Sequence, residues 1–222
     1  MATFGFVHGA GDVGAAWEGV ARELRARGHR TAAPDLPCDD PEAGLDDYAD
    51  AIVTAVGEAR ADSGPVVLVA HSLGGFFAPL AAARLGAGQL VFVTAMVPLP
   101  GETADAWWGA TGFPDATAHL AGLDELERFL HDVPHEQAVA ALAAGRDQAE
   151  KALAEPFPLD GMGTADVRFL LCRDDRFFPP AFMRAVVRER LDVEPEEIDG
   201  SHCVHLSRPA ELAERLDAGL PR

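Results

Sequence analysis

The side chains best placed to do chemistry sit in three short stretches: VVLVAHSLGG at 66–75, LLCRDDRFFPP at 170–180 and DGSHCVHLSRP at 199–209. In the first, an apolar run ends on His71-Ser72 and two glycines. A serine hydroxyl is a poor nucleophile until a base takes its proton, and a histidine held by a carboxylate is the usual way to supply one. Ser72, then an acid at 174–175, then His202 gives nucleophile, orienting acid and general base in that chain order. A tight strand-to-helix turn at Ser72 needs small residues two before and two after it. Gly74 meets that need, and Ala70 meets it with one extra methyl.

For the acid, Asp175 is preferred over its neighbour Asp174, and Glu102 is a distant third candidate. For the base, His202 follows the turn directly, whereas His205 lies one helical turn further on. His71 reads as a residue that shapes the turn. A developing oxyanion needs preorganised donors. The backbone N–H of Leu73, at a helix start, is one, and the N–H of Ala10 in the loop His8-Gly9-Ala10-Gly11 is expected to be the second. Trp107, Trp108, Phe113 and Phe177, with Gly9 and His71, are expected to line a substrate pocket. His131 and His135 stand four apart, but without a third ligand they read as a helix face, so no metal site and no cofactor are expected.

These residues need a frame that brings distant strand ends together. Strand patterns at 3–7, 31–33, 66–70, 90–95 and 167–172, with an edge strand at 193–198, alternate with helical patterns at 17–27, 48–56, 76–85, 180–191 and 209–220. Alternating strands and helices predict an α/β fold, a mainly parallel six-stranded sheet with helices on both faces. Chemistry then gathers at the carboxyl ends of the strands. The alternation breaks from about 103 to 163, which reads as a helical cap inserted into a single domain spanning 1–222. Helix-like segments are expected there at 123–131 and 136–153.

Composition narrows the function classes. A chain of 222 residues with 48% hydrophobic and 24% charged residues is ordinary for a globular protein. A net charge of −18 repels phosphate backbones, so nucleic acid is not an expected partner. No run approaches the ~20 apolar residues of a membrane span. MATFGFVHGAG has no basic segment ahead of an apolar one, so a cytoplasmic location is expected. Three scattered cysteines suit neither a disulfide framework nor a structural zinc site. A homodimer is compatible with the pattern.

Together FVHGAG, VVLVAHSLGG, VTAMVPLPGE, LLCRDDRFFPP and DGSHCVHLSRPAELAERL resemble the α/β-hydrolase superfamily over essentially the whole chain. The likeness is strongest to its small-cap branch of plant-type methyl-ester carboxylesterases and hydroxynitrile lyases. The resemblance implies Ser72 as nucleophile, Asp175 as acid, His202 as base and the Ala10 and Leu73 amides as oxyanion hole. It implies a small-molecule ester as substrate, cleaved through an acyl-enzyme. The alternatives on the same fold are a lyase or cofactor-free acid/base enzyme, and a non-catalytic binder of small ligands. Three departures stand out: the first two strands of larger members are expected to be absent ahead of the strand at 3–7, Ala70 replaces a glycine, and Cys203 follows His202 where hydroxynitrile lyases carry lysine. The last departure removes a cation for a cyanide leaving group and favours ester hydrolysis.

Overall fold

A computed structural model describes residues 1–60 and 64–220. The first half runs β1 (Thr3–Val7), a 3-10 turn (Gly14–Trp17), α1 (Glu18–Ala26), β2 (Arg30–Ala32), α2 (Leu45–Ala59) and β3 (Val66–His71). A 3-10 turn (Ser72–Phe76), α3 (Ala78–Leu85) and β4 (Gln89–Val93) follow. Then come α4 (Ala104–Ala110), α5 (Phe113–Thr117), a 3-10 turn (Ala118–Leu120), α6 (Glu125–Phe129), α7 (His135–Ala144) and α8 (Lys151–Ala154). The chain closes with β5 (Asp166–Cys172), α9 (Pro180–Leu191), β6 (Glu196–Ile198), α10 (Val204–Ser207) and α11 (Pro209–Ala218).

Among the described residues, six strands form one sheet in the order β2-β1-β3-β4-β5-β6. Every pairing is parallel. Strand periodicity divides the core. Val66, Leu68 and Ala70 of β3 face one apolar layer, with Leu90, Phe92, Phe169 and Leu171 from the neighbouring strands. Side chains of α2, α3 and α9 (Tyr48, Ile52, Leu80, Ala81, Met183, Val187) cover that layer. Val67 and Val69 face the other layer with Phe4, Phe6, Val91 and Leu170, closed by Val20 and Leu24 of α1 and Leu212 and Leu216 of α11. Burial on both faces explains why these strands read as continuous apolar runs.

Three expectations change at the edges. The last strand begins at Glu196 rather than 193, because Pro195 has no N–H for the ladder. The helix expected over 136–153 is broken between α7 and α8. There Arg146 N–H donates to Gly11 O at 2.6 Å and Ala149 N–H donates to Cys38 O at 2.6 Å. These long-range bonds pull the backbone out of helical pairing. His131 lies in a turn before α7 and His135 is its first residue, so they do not share one helix face.

The turn after β3 shows where smallness is needed. A Cβ on Gly74 would lie 2.6 Å from Val7 O, and one on Gly75 would lie 1.8 Å from Met96 O. Ala70, by contrast, is fully buried with its methyl in the apolar layer. The crowding therefore falls on the helix side of Ser72, and the departure at 70 fills core. A Gly75→Ala substitution is expected to cost roughly 2–3 kcal/mol or more through overpacking. Gly109→Ala, where a Cβ meets nothing within 4 Å, is expected to be neutral or slightly stabilising. Urea unfolding of the two variants checks the contrast.

Candidate active site

Each stretch singled out above lies at the carboxyl end of the parallel sheet. β3 delivers Ser72, β5 leads to Asp175, and the loop after β6 carries His202. The backbone of Ser72 has φ 50°, a left-handed conformation that costs a non-glycine residue roughly 1–2 kcal/mol. The turn holds it there: Ser72 O accepts from Met96 N–H at 2.9 Å, and Gly9 faces it so closely that a Cβ would lie 2.9 Å from Ser72 Cβ. Gly9 thereby lets the loop after β1 come up against Ser72. Neither the Ala10 N–H nor the Leu73 N–H has a hydrogen-bond acceptor among the described residues.

The three candidate carboxylates differ in their surroundings. Asp175 is buried, and its Oδ2 accepts from His202 Nδ1 at 2.8 Å. Its Oδ1 accepts the N–H groups of Phe177 and Phe178, each at 2.8 Å. Thr94 Oγ1 donates to Oδ2 as well. Asp174 instead accepts Gly200 N–H, and Glu102 pairs with Arg190. A carboxylate only accepts, so His202 carries its proton on Nδ1 and presents the Nε2 lone pair. His202 faces the cavity that Ser72 lines, and the two side chains are not hydrogen-bonded to each other in this structure.

His202 is held on every side. Its carbonyl accepts from His71 Nε2 at 2.9 Å. The flanking amides are tied to the α4–α8 segment: Ser201 N–H donates to Asp132 Oδ2 at 3.0 Å, and Cys203 N–H to Phe129 O at 3.2 Å. Phe129, Phe177 and Phe178 surround the imidazole with ring centroids 5.6, 5.0 and 5.2 Å away. Thr94, Phe129 and Asp132 escaped the sequence reading. Thr94 had a signal, being a polar residue at a strand's carboxyl end; Asp132, in an irregular loop, had none. His205 is stacked on Trp17 with centroids 4.6 Å apart and lies outside the contacts of Asp175. Burial holds His71 well below the ordinary histidine value and His205 down to about 3, and nearby histidines add to both shifts.

A cavity of about 530 Å³ opens over Ser72. Gly9, Ala10, His71, Leu73, Trp108 and Phe177 line it, with Met96, Phe129, Leu130 and Leu206. Trp107 and Phe113 do not line it. Trp107 is fully buried, with its Nε1–H donated to Val97 O at 3.1 Å, and Phe113 packs against Trp107 and Trp108. Trp108 shares its cavity-facing side of α4 with Ala104 and Asp105, while Trp107, turned about 100° from Trp108 around the helix, packs into the core.

His8 anchors the loop that carries Ala10. Its Nε2 accepts Leu36 N–H at 3.0 Å, so Nδ1 holds the proton and donates to Gly9 O at 2.8 Å. Burial, with Arg146 adding, pushes its pKa from 6.5 down to about 4, against the opposing pull of the Gly9 carbonyl and Asp35. The unfolded chain therefore binds this proton first. Stability from His8 is full above pH 6.5 and is lost as pH falls toward about 4. Melting temperature measured from pH 7 to 4.5 is expected to fall less steeply for His8→Asn than for the parent chain.

Residues 6–215 match the family described as alpha/beta hydrolase. A pyrethroid hydrolase of Sphingobium wenxiniae is 27% identical, covering 95% of this chain and 84% of that protein. Methylesterase 7 of Arabidopsis thaliana is 26% identical over 96% of this chain and 94% of the relative. The crystal structure of polyneuridine aldehyde esterase superposes with a TM-score of 0.81 at 22% identity, covering 99% of this chain and 100% of that one. These similarities bear out the resemblance to the plant-type esterase branch. No helix among the described residues is long and apolar enough to cross a membrane.

Proposed function

The chain belongs to the alpha/beta hydrolase family, and from that membership we propose that it is a carboxylesterase acting on small, largely apolar esters through an acyl-Ser72 intermediate. The observation that carries this reading is the Asp175–His202 pair at 2.8 Å, fixed so that Nε2 is free, in a wall of the cavity that Ser72 lines. The names of the esterase and hydrolase relatives support it.

Substrate enters with its carbonyl carbon against Ser72 Oγ. His202 Nε2 takes the hydroxyl proton as Oγ attacks. The oxyanion settles on the Ala10 and Leu73 N–H groups, neither of which has another acceptor among the described residues. Asp175 stabilises the imidazolium without taking its proton. His202 then protonates the leaving alkoxide, the alcohol departs, and a water activated by the same nitrogen releases the acid. Formation of the Ser72–His202 hydrogen bond belongs to the substrate complex, since such contacts tighten on binding.

Trp108, Phe129, Phe177, Leu130 and Leu206 supply apolar area for the acyl or alcohol portion. An ester panel of varied acyl length tests the reading. Short and medium acyl aryl esters should turn over with a burst equal to the enzyme concentration. No turnover of any neutral ester by a folded preparation contradicts it.

A further inference from the structure

Behind the residues assigned above lies a second polar group that the proposed mechanism leaves unexplained. Asp12, His71 and His205 each place one ligating atom within 4.8 Å of the others. His205 is almost fully buried, and neither of its ring nitrogens has a hydrogen-bond partner. His71 donates Nε2–H to His202 O, and its buried Nδ1 also lacks a partner. Asp12 Oδ1 accepts Val13 N–H at 2.8 Å, while Oδ2 points toward His205 Nε2, 3.8 Å away. Buried polar atoms are nearly always satisfied, so orphans gathered at one place call for a ligand.

We infer that Asp12, His71 and His205 form a binding site for one divalent transition-metal ion of the zinc class, and that its occupancy inhibits the enzyme. Two imidazoles and one carboxylate are a donor set of that class, with three protein ligands and one open position. The His71 Nε2–H bond to a backbone carbonyl is the outer contact that orients a metal-binding imidazole. Stacking on Trp17 fixes the His205 ring. Tetrahedral zinc places its ligand atoms about 3.3–3.5 Å apart, so the group must close by roughly an ångström. Asp12 can close its own distances to the two imidazoles, because it sits on a loop with its side chain 27% exposed. Asp12 and His71 also line the cavity, which gives the ion an entry path and a solvent-accessible fourth position.

Inhibition follows from placement and rests on the esterase reading. The ring of His71 lies 4.7 Å from that of His202, so a bound dication opposes the positive imidazolium that ester cleavage requires. The metal binding itself does not depend on that reading.

The test titrates metal-free full-length chain with zinc against a chromogenic chelator, and with cobalt as a spectroscopic probe. One equivalent per chain and a visible cobalt d–d absorption are expected. Asp12→Asn and His205→Gln should each weaken binding at least tenfold, while Cys203→Ser and His135→Ala should not. Circular dichroism confirms folding, and the near-isosteric Asp12→Asn keeps the test decisive should His205→Gln misfold. Absence of stoichiometric binding, or equal binding by Asp12→Asn, overturns the site and leaves buried water as the ligand. In the assay arm, zinc should suppress aryl-ester turnover, chelator should restore it, and the Asp12→Asn protein should keep its own turnover when zinc is added. Zinc bound without inhibition overturns the inhibitory role. Zinc bound by a chain that cleaves no ester leaves the site standing and removes the esterase reading instead.

Discussion

A Ser72→Ala protein is expected to lose roughly 10⁴–10⁶-fold in kcat for a neutral aryl ester, with KM little changed. The size follows from the role. Without Oγ no acyl bond can form, and the remaining acceleration comes from the oxyanion donors and from binding. The cavity stays intact, because its walls come from other residues, Leu73, Met96, Trp108, Phe129 and Phe177 among them. The turn also survives, since its tightness is set by Gly74 and Gly75 rather than by the hydroxyl. Alanine at φ 50° is strained much as serine is, so unfolding free energy should move by under about 1 kcal/mol. Steady-state kinetics alongside urea unfolding separates loss of the nucleophile from loss of the fold. Retention of parental turnover by a folded Ser72→Ala protein rules Ser72 out.

Asp175→Asn is the second large effect, and it tests orientation. The Asp175 carboxylate accepts four donors: two backbone N–H groups, Thr94 Oγ1 and His202 Nδ1. An asparagine has one acceptor oxygen and one donor group. The Phe177 and Phe178 amides can only donate, so they hold the oxygen on their side and turn the NH₂ toward His202. Nδ1 must then accept, which moves the imidazole proton to Nε2, where it faces Ser72 and cannot receive the hydroxyl proton. A fall in kcat/KM of about 10³–10⁴-fold is expected. Thr94→Val removes one donor and leaves the tautomer alone, so its loss should be nearer tenfold, the size of one hydrogen bond to a charged group. Equal losses from the two variants contradict the tautomer argument.

The parts of this site that were legible in the sequence are those that a period or a strand end marks. Continuous apolar runs announced β1, β3, β4 and β5, because strands buried on both faces have no polar alternation to hide them. Ser72, Asp175 and His202 stood out because each follows such a run or the short β6. Gly74 was legible as a small residue, but the contact that requires it, with Val7 O, comes from a strand some 67 residues earlier in the chain. Ala70 looked like a defect in a motif and is ordinary core. Trp107 and Trp108 are neighbours in sequence, and which of them faces the cavity depends on how α4 docks, a tertiary fact. The Asp132 contact with Ser201 and the Arg146 contact with Gly11 join irregular segments far apart in the chain, where no periodicity exists to read. The orphaned nitrogens of His205 are likewise invisible until the fold surrounds them.

The central claim is that Ser72 Oγ is the nucleophile, activated by His202 under the hold of Asp175. A fluorophosphonate reacts with an activated serine and spares ordinary hydroxyls, so intact-mass and peptide mapping of the inhibited full-length chain address the claim directly. The account predicts a single adduct per chain, on Ser72, formed in step with loss of ester turnover, and absent from His202→Ala. An adduct on another residue, or complete inactivation with Ser72 unmodified, contradicts it.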